Sequence, residues 1–280
     1  MKLACITIDL ESDYGYNYID SYGAFEDTGA LESILDKYGI APTAFITKGV
    51  LERPLSFVKK LEEQKAQFEL HIVTHFPKEK RIKEMIRTKE AYIKRFGKPP
   101  LGYRGPAGLI SEQELMILAR EGFKFDSSIF PFRRPGFFDN SMMPQRPFIY
   151  EDSGLIEIPF SVIPKVRLPF SISYIQLFRS ASYRLLEGIF GLPELLIFNL
   201  HLHDLFSSRA IKRLPLRWRM IYRWNYLSRP LGILEDYIIR LKDQGYRFVS
   251  MKEIYEAALN KTIRCEILGK EIWEKWRSRN

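Results

Sequence analysis

Leu3–Ala4–Cys5–Ile6–Thr7–Ile8–Asp9–Leu10–Glu11 decides the architecture. The apolar run from Leu3 to Ile8 ends in carboxylates, the pattern of a strand buried in a parallel sheet that delivers polar side chains at its carboxyl end. Outward from it, strand and helix patterns alternate. Ala30–Tyr38 has helical spacing and is stopped by Gly39, Pro42–Ile46 reads as a second strand, and Leu55–Gln64 as a second helix. A strand over Phe68–Val73, a charged helix over Glu79–Phe96, a strand end at Gly102–Tyr103–Arg104 and a helix over Ser111–Gly122 follow. Later come strands over Leu155–Pro159, Leu195–Leu200 and Tyr246–Val249, and a helix over Leu231–Gln244. Repeated βα units of this kind predict a single α/β domain over residues 1–259, a parallel barrel or a doubly wound sheet. Residues 260–280 read as a C-terminal helical extension.

Two stretches break the pattern. Phe130–Pro169 is proline-rich and aperiodic, which predicts a long loop excursion across one face. Between Asp204 and Glu235 no acidic residue occurs, while Arg209, Lys212, Arg213, Arg217, Arg219, Arg223 and Arg229 carry most of the formal net charge of +9. Inside that stretch Leu216, Met220, Trp224 and Leu227 recur at helical spacing. Core packing with snorkelling arginines explains the stripe, and so does contact with an anionic membrane surface; a solvated barrel helix is the favoured expectation.

Composition narrows the class. With 46% hydrophobic and 28% charged residues the chain is neither disordered nor collagen-like. Cys5 and Cys265 stand alone, which excludes a disulfide framework and a cysteine zinc site and favours a reducing compartment. The first apolar run meets Asp9 too soon for a signal peptide, and no apolar run of about 18 residues follows. The expectation is a cytoplasmic protein, with the inner face of the membrane as its candidate peripheral location. The positive balance favours polyanions, phosphorylated substrates or anionic lipid as partners.

All four histidines fall at predicted strand ends, His71 with His75 and His201 with His203. His71 and His75 are spaced i, i+4, which on a helical turn presents two imidazoles to one cation. A carboxylate from Asp9 or Glu11 then completes a three-ligand metal site with an open position, the other acid being available as a base. Two acids directly after an apolar strand are costly unless partnered. Arg104, at the next strand end, can hold a carboxylate base ionised. Ser127 and Ser128 lack the Gly-x-Ser-x-Gly elbow, so serine catalysis is not expected.

These stretches, taken in order, resemble the NodB-homology polysaccharide deacetylase family, the carbohydrate esterases that include chitin and peptidoglycan deacetylases. Thr7–Ile8–Asp9–Leu10–Glu11 resembles the first motif, His71 to His75 the second, Arg104–Gly105–Pro106–Ala107–Gly108 the third, Asp126–Ser127–Ser128 the fourth and Leu200–His201 the fifth. The resemblance implies a distorted, TIM-like (β/α) barrel of about seven parallel strands with its site at the carboxyl face. It implies Asp9 as general base, Glu11, His71 and His75 as metal ligands, Arg104 as the residue holding the base, His201 as general acid and Asp126 as the carboxylate that tunes it. The cofactor implied is a divalent metal, zinc first, with cobalt or nickel as substitutes. The reaction implied is attack of metal-activated water on an N-acyl group, acetyl or formyl, of an aminosugar in a polysaccharide or a lipid-linked glycan.

Three positions depart from the family pattern: Glu11 stands where Asp is usual, with Asp13 as a rival ligand, Ile72 where Ser or Thr is common, and Ala107 where an aromatic is frequent. His203 reads as a rim or structural histidine. The competing readings are a hydrolase of small linear or cyclic amides, as in allantoinases of the same superfamily, and a non-catalytic polyanion-binding barrel. Against the second stands the full set of matched groups, and nucleic acid is not the expected partner.

Overall fold

The computed structural model describes residues 1–15, 19–74 and 78–279. At its centre seven parallel strands form a curled sheet: β1 Leu3–Leu10, β2 Thr43–Ile46, β3 Gln67–His71, β4 Gly102–Arg104, β5 Phe125–Asp126, β6 Ile156–Glu157 and β7 Leu195–His201. Their spatial order is β7-β1-β2-β3-β4-β5-β6. The gap between β6 and β7 is spanned by irregular chain, in which Ser161 Oγ accepts from Ile197 N at 2.7 Å and Ser171 bridges to Asn199. Helices α1 Gly29–Tyr38, α2 Ser56–Glu63, α3 Lys78–Phe96 and α4 Glu112–Arg120 follow the first four strands. After β6 come α5 Ile172–Phe178 and α6 Ser180–Phe190, and after β7 come α7 Leu216–Tyr226, α8 Pro230–Asp243 and α9 Met251–Leu259.

Strand alternation separates the core into layers. Ala4, Ile6, Ile8 and Leu10 of β1 join Leu31, Leu35, Leu61 and Leu234 of the surrounding helices in the outer core. Leu3 and Cys5 point the other way and pack with Phe45, Phe125 and Ile197 inside the curl. Continuing that inner face up β1 passes Thr7 and reaches Asp9, so one period-two pattern runs from an apolar floor to a polar mouth. Local signals fix the ends of elements: Gly39 caps α1 with φ 62°, and Ser111 and Glu114 form a reciprocal capping box at the start of α4.

Two expectations change. The tail is more than a helical extension: Glu266–Leu268 is a strand paired with Phe148–Tyr150, which in turn pairs antiparallel with β6. The helix that follows, α10 Lys270–Arg277, buries Trp273 and Trp276 in the cluster around Leu70, Tyr103 and Phe148. The stripe on α7 is not core packing, since Leu216, Met220, Trp224 and Leu227 are 67%, 63%, 55% and 74% exposed. The opposite side of that helix, through Tyr222 and Tyr226, is what packs, against Tyr14 and Leu214.

Candidate active site

The register of the sheet assembles the site. Asp9 and His201 are directly paired across β1 and β7, and His71 and Arg104 across β3 and β4. Arg104, 1% exposed, gives Asp9 Oδ1 a hydrogen bond of 2.6 Å from Nη1. The same Nη1 reaches Thr7 Oγ1 and Asn199 Oδ1, while Nε and Nη2 donate to the backbone oxygen and the hydroxyl of Ser127. The guanidinium is sandwiched between the rings of Phe45 and Phe160, 3.7 and 4.3 Å from their centroids. A buried cation so fully satisfied is a fixed charge. Burial alone would raise the Asp9 carboxyl, but Arg104, His71 and His201 outweigh it and hold it below the usual carboxylate range. Asn199 Nδ2 donates to the other oxygen, Asp9 Oδ2, at 3.3 Å.

Glu11, the next inward residue beyond Asp9, faces His71, with Oε2 3.6 Å from Nε2. The other ring nitrogen of His71, Nδ1, is 2.7 Å from the carbonyl oxygen of Arg104. That contact places a proton on Nδ1 and turns Nε2 toward Glu11, the outer-sphere arrangement of metal-ligating histidines. Ligand atoms of a tetrahedral zinc lie roughly 3.3–3.5 Å apart, given bonds near 2.0–2.1 Å. The separation of Glu11 and His71 therefore suits a shared divalent cation, and the donor chemistry fits zinc. Gly15 makes room for the carboxylate, because a Cβ there would lie 2.7 Å from Glu11 Oε2. Asp13, the rival, is occupied elsewhere: it accepts from Ser21 Oγ, Gly23 N and Ala24 N.

His75 lies outside the described residues. The i, i+4 argument from a helical turn does not apply at its partner, since His71 ends a strand and residues 72–74 are irregular. Where the chain lacks a hydroxyl at position 72, Glu84 of α3 steadies the loop by accepting from Val73 N and Thr74 N at 3.1 and 3.0 Å.

His201 has its own carboxylate, and it is Asp204. Asp204 Oδ2 lies 2.9 Å from His201 Nδ1 and also accepts from His201 N at 3.1 Å. On the other side His201 Nε2 faces Asp9 Oδ2 at 3.5 Å and Glu11 Oε1 at 3.8 Å. Burial opposes the charged imidazole, yet Asp204, Glu11 and Asp9 together push its pKa up to about 10. The carboxylates that face His201 are thus Asp204, Asp9 and Glu11, and Asp126 is not among them. It sits instead beside its register partner Glu157 on β6, accepts from Ser128 Oγ at 2.6 Å, and is pushed up to about 6 by burial. His203 is buried between Tyr14 and Tyr222, its ring stacked on His201 at 4.9 Å. Among the described residues, His201, His203 and Asp204 also form a trio of potential donors within 4.8 Å of one another, two of whose members, His201 and Asp204, are hydrogen-bonded to each other.

Asp9, Glu11, His71, Arg104, His201 and Asp204 line a cavity of about 420 Å³. Its walls are aromatic, with Phe130, Phe132, Phe138, Phe160, Tyr174 and Tyr222 among the lining residues. The aperiodic segment from Phe130 onward thus contributes directly to the site. Ala107, also at the cavity, holds φ 62°, a left-handed turn between Pro106 and Gly108. Asn199 and Asp204 belong to no motif that marks them as site residues in the sequence. The signal for Asp204 was present in the capping spacing His201-x-x-Asp204, a carboxylate one turn after a strand-ending histidine.

Residues 10–125 match the family model described as polysaccharide deacetylase, a segment holding Glu11, His71, His75 and Arg104 and beginning just after Asp9. Among solved structures, a candidate polysaccharide deacetylase from Mycobacterium smegmatis superposes with a TM-score of 0.62 at 17% identity, covering 96% of this chain and 94% of its own. The Bc1960 peptidoglycan N-acetylglucosamine deacetylase, solved with a naphthyl N-oxidanyl-benzamide, gives 0.53 at 14% identity, covering 91% and 88%. The Puue allantoinase gives 0.59 at 12% identity, covering 91% and 89%. At these identities the likeness is one of fold. No curated protein matches the chain.

Proposed function

We propose that the chain is a polysaccharide deacetylase-type hydrolase of carbon–nitrogen bonds other than peptide bonds, supported by the family match over residues 10–125, and that it removes an N-acyl group from an aminosugar. The acyl group is acetyl or formyl, and the sugar belongs to a polysaccharide or a lipid-linked glycan. One observation carries the reading: an ionised Asp9, pinned by Arg104, faces His201 in an aromatic-walled cavity.

Asp9, ionised beside Arg104 and lining the cavity, is the base that takes the proton of a water attacking the acyl carbonyl. His201, held as an imidazolium by Asp204, is the donor to the departing amine, which must leave protonated. Backbone at Ala107 is the candidate oxyanion donor. Glu11 and His71, with His75, would hold the divalent ion; when bound there, it lowers the pKa of water and polarises the carbonyl. The aromatic walls exclude bulk water and present flat apolar faces to a pyranose ring.

The test pairs metal content with acyl release. Wild-type protein is expected to hold about one divalent ion per chain and to release acetate or formate from N-acylated aminosugars, both lost in His71→Ala/His75→Ala. Opening of a small cyclic amide with no acyl release would move the assignment to the amidase reading. Absence of metal and of turnover after supply of zinc, cobalt and nickel would overturn it.

A further inference from the structure

The outward faces of α5, α6 and α7 carry apolar side chains that stay largely exposed. Besides Leu216, Met220 and Trp224 on α7 and Leu227 at its C-terminal cap, α5 exposes Leu177 and Phe178, and α6 exposes Leu185 and Ile189. α5 packs on both neighbours, so the three helices present one surface. Arg179, between α5 and α6, lays its guanidinium 4.0 Å from the ring centroid of Trp224 and joins the two halves of the ridge. Arg213, Arg217 and Arg223 are exposed around it and enter no ion pair among the described residues. Chain chemistry sharpens the contrast, since no carboxylate occurs between Asp204 and Glu235. The same helices also wall the cavity, with Leu177 and Phe178 at its lining and Trp218, Ile221 and Tyr222 contributed by the inner side of α7.

We propose that this ridge docks on an anionic phospholipid surface, placing the mouth of the cavity at the bilayer interface. Aliphatic, methionine and tryptophan side chains flanked by unpaired arginines are what an interfacial helix needs: apolar area to enter the acyl boundary and cations to meet phosphate headgroups. A second copy of the chain fits poorly, because a two-fold contact through this face would set arginines against arginines. The docking surface stands apart from the reaction assigned above. Its consequence for substrate, an aminosugar carried on a lipid anchor and presented from the membrane, rests on that reading.

Full-length protein is mixed with vesicles of phosphatidylcholine alone or of phosphatidylcholine with phosphatidylglycerol and sedimented. Two double variants accompany it, Arg217→Glu/Arg223→Glu and Trp224→Ser/Leu227→Ser, whose positions are exposed and do not line the cavity. Wild type should sediment with the anionic vesicles only, Trp fluorescence shifting to the blue, and each variant should partition at least about ten-fold less. Acyl release from a water-soluble substrate should be equal in all three. No sedimentation with anionic vesicles at low salt, or undiminished sedimentation of both variants, would overturn the proposal. So would a concentration-dependent dimer that Trp224→Ser/Leu227→Ser dissociates while vesicles stay unbound. Vesicle binding without hydrolysis of any substrate would strike the reaction and leave the docking surface standing.

Discussion

Asp204 and Asp126 compete for one role, and a pair of substitutions separates them. The structure gives Asp204 to His201, so in the metal-free protein Asp204→Asn should move the His201 imidazole titration, followed by NMR, well below its value of about 10. The sign follows from linkage. A histidine whose folded-state pKa exceeds its ordinary 6.5 stabilises the fold fully below that value and loses the contribution as pH rises through about 10. Asp204→Asn should therefore flatten the loss of stability on the alkaline side and cut turnover about 10²-fold, whereas Asp126→Asn should leave the His201 titration in place. A shift in the second variant and none in the first would restore the assignment made from motif order. At Glu11 the sensitive neighbour is Gly15. A Cβ there meets only the flexible end of the glutamate, so Gly15→Ala should leave thermal stability near wild type while displacing the carboxylate. Zinc affinity, read by competitive titration with a chelating dye, is expected to fall about ten-fold; an unchanged affinity would exclude Glu11 as a ligand.

At the scale of elements, the site is a product of register. Strands β4 and β5 approach so closely at Gly102 that a Cβ would stand 2.1 Å from Cζ of the fully buried Phe125. Gly102→Ala must push the ring or the strand, and through β4 it carries Arg104 with it. A loss of about 1–3 kcal/mol in urea unfolding is expected, with a larger proportional loss in turnover because the Asp9 contact shifts. Equal and small effects on both would mean the ring yields freely. The legibility of the sequence divides along the same lines. Strands ending in Asp9, Arg104 and His201 could be read because an apolar run meeting charge has one economical explanation, a buried strand opening onto a site. Asp126 ends its strand in the same manner, yet it lies beside its register partner Glu157 and is not among the residues lining the cavity. No sequence pattern distinguishes the two cases, since facing is set by the curl of the sheet. The stripe on α7 was ambiguous because helical spacing fixes that side chains share a face and leaves open what the face meets.

The molecule as a whole leans on its tail more than its sequence suggests. Residues 266–268 are too short and too mixed to announce a strand, and their pairing partner, Phe148–Tyr150, lies in the aperiodic excursion, so neither half could be read without the other. Once paired, they anchor α10, whose Trp273 and Trp276 stack at 4.7 Å and sit 7% and 3% exposed. Trp273 also meets Tyr150 edge-on, and Trp276 Nε1 donates to Asn140 Oδ1 at 2.7 Å. Asn140 in turn donates to the carbonyl oxygen of Gly108 in the turn that holds Ala107, so a chain of contacts joins the C-terminal helix to the cavity. If the tail were an independent appendage, Trp273→Ala would leave the main unfolding transition untouched and add a separate early one. The packing predicts the opposite: one cooperative transition, with stability lowered by about 3–5 kcal/mol and the midpoint by roughly 5–10 °C. Calorimetry distinguishes the two directly, since a single peak with matching calorimetric and van't Hoff enthalpies is the signature of a tail that unfolds with the central sheet.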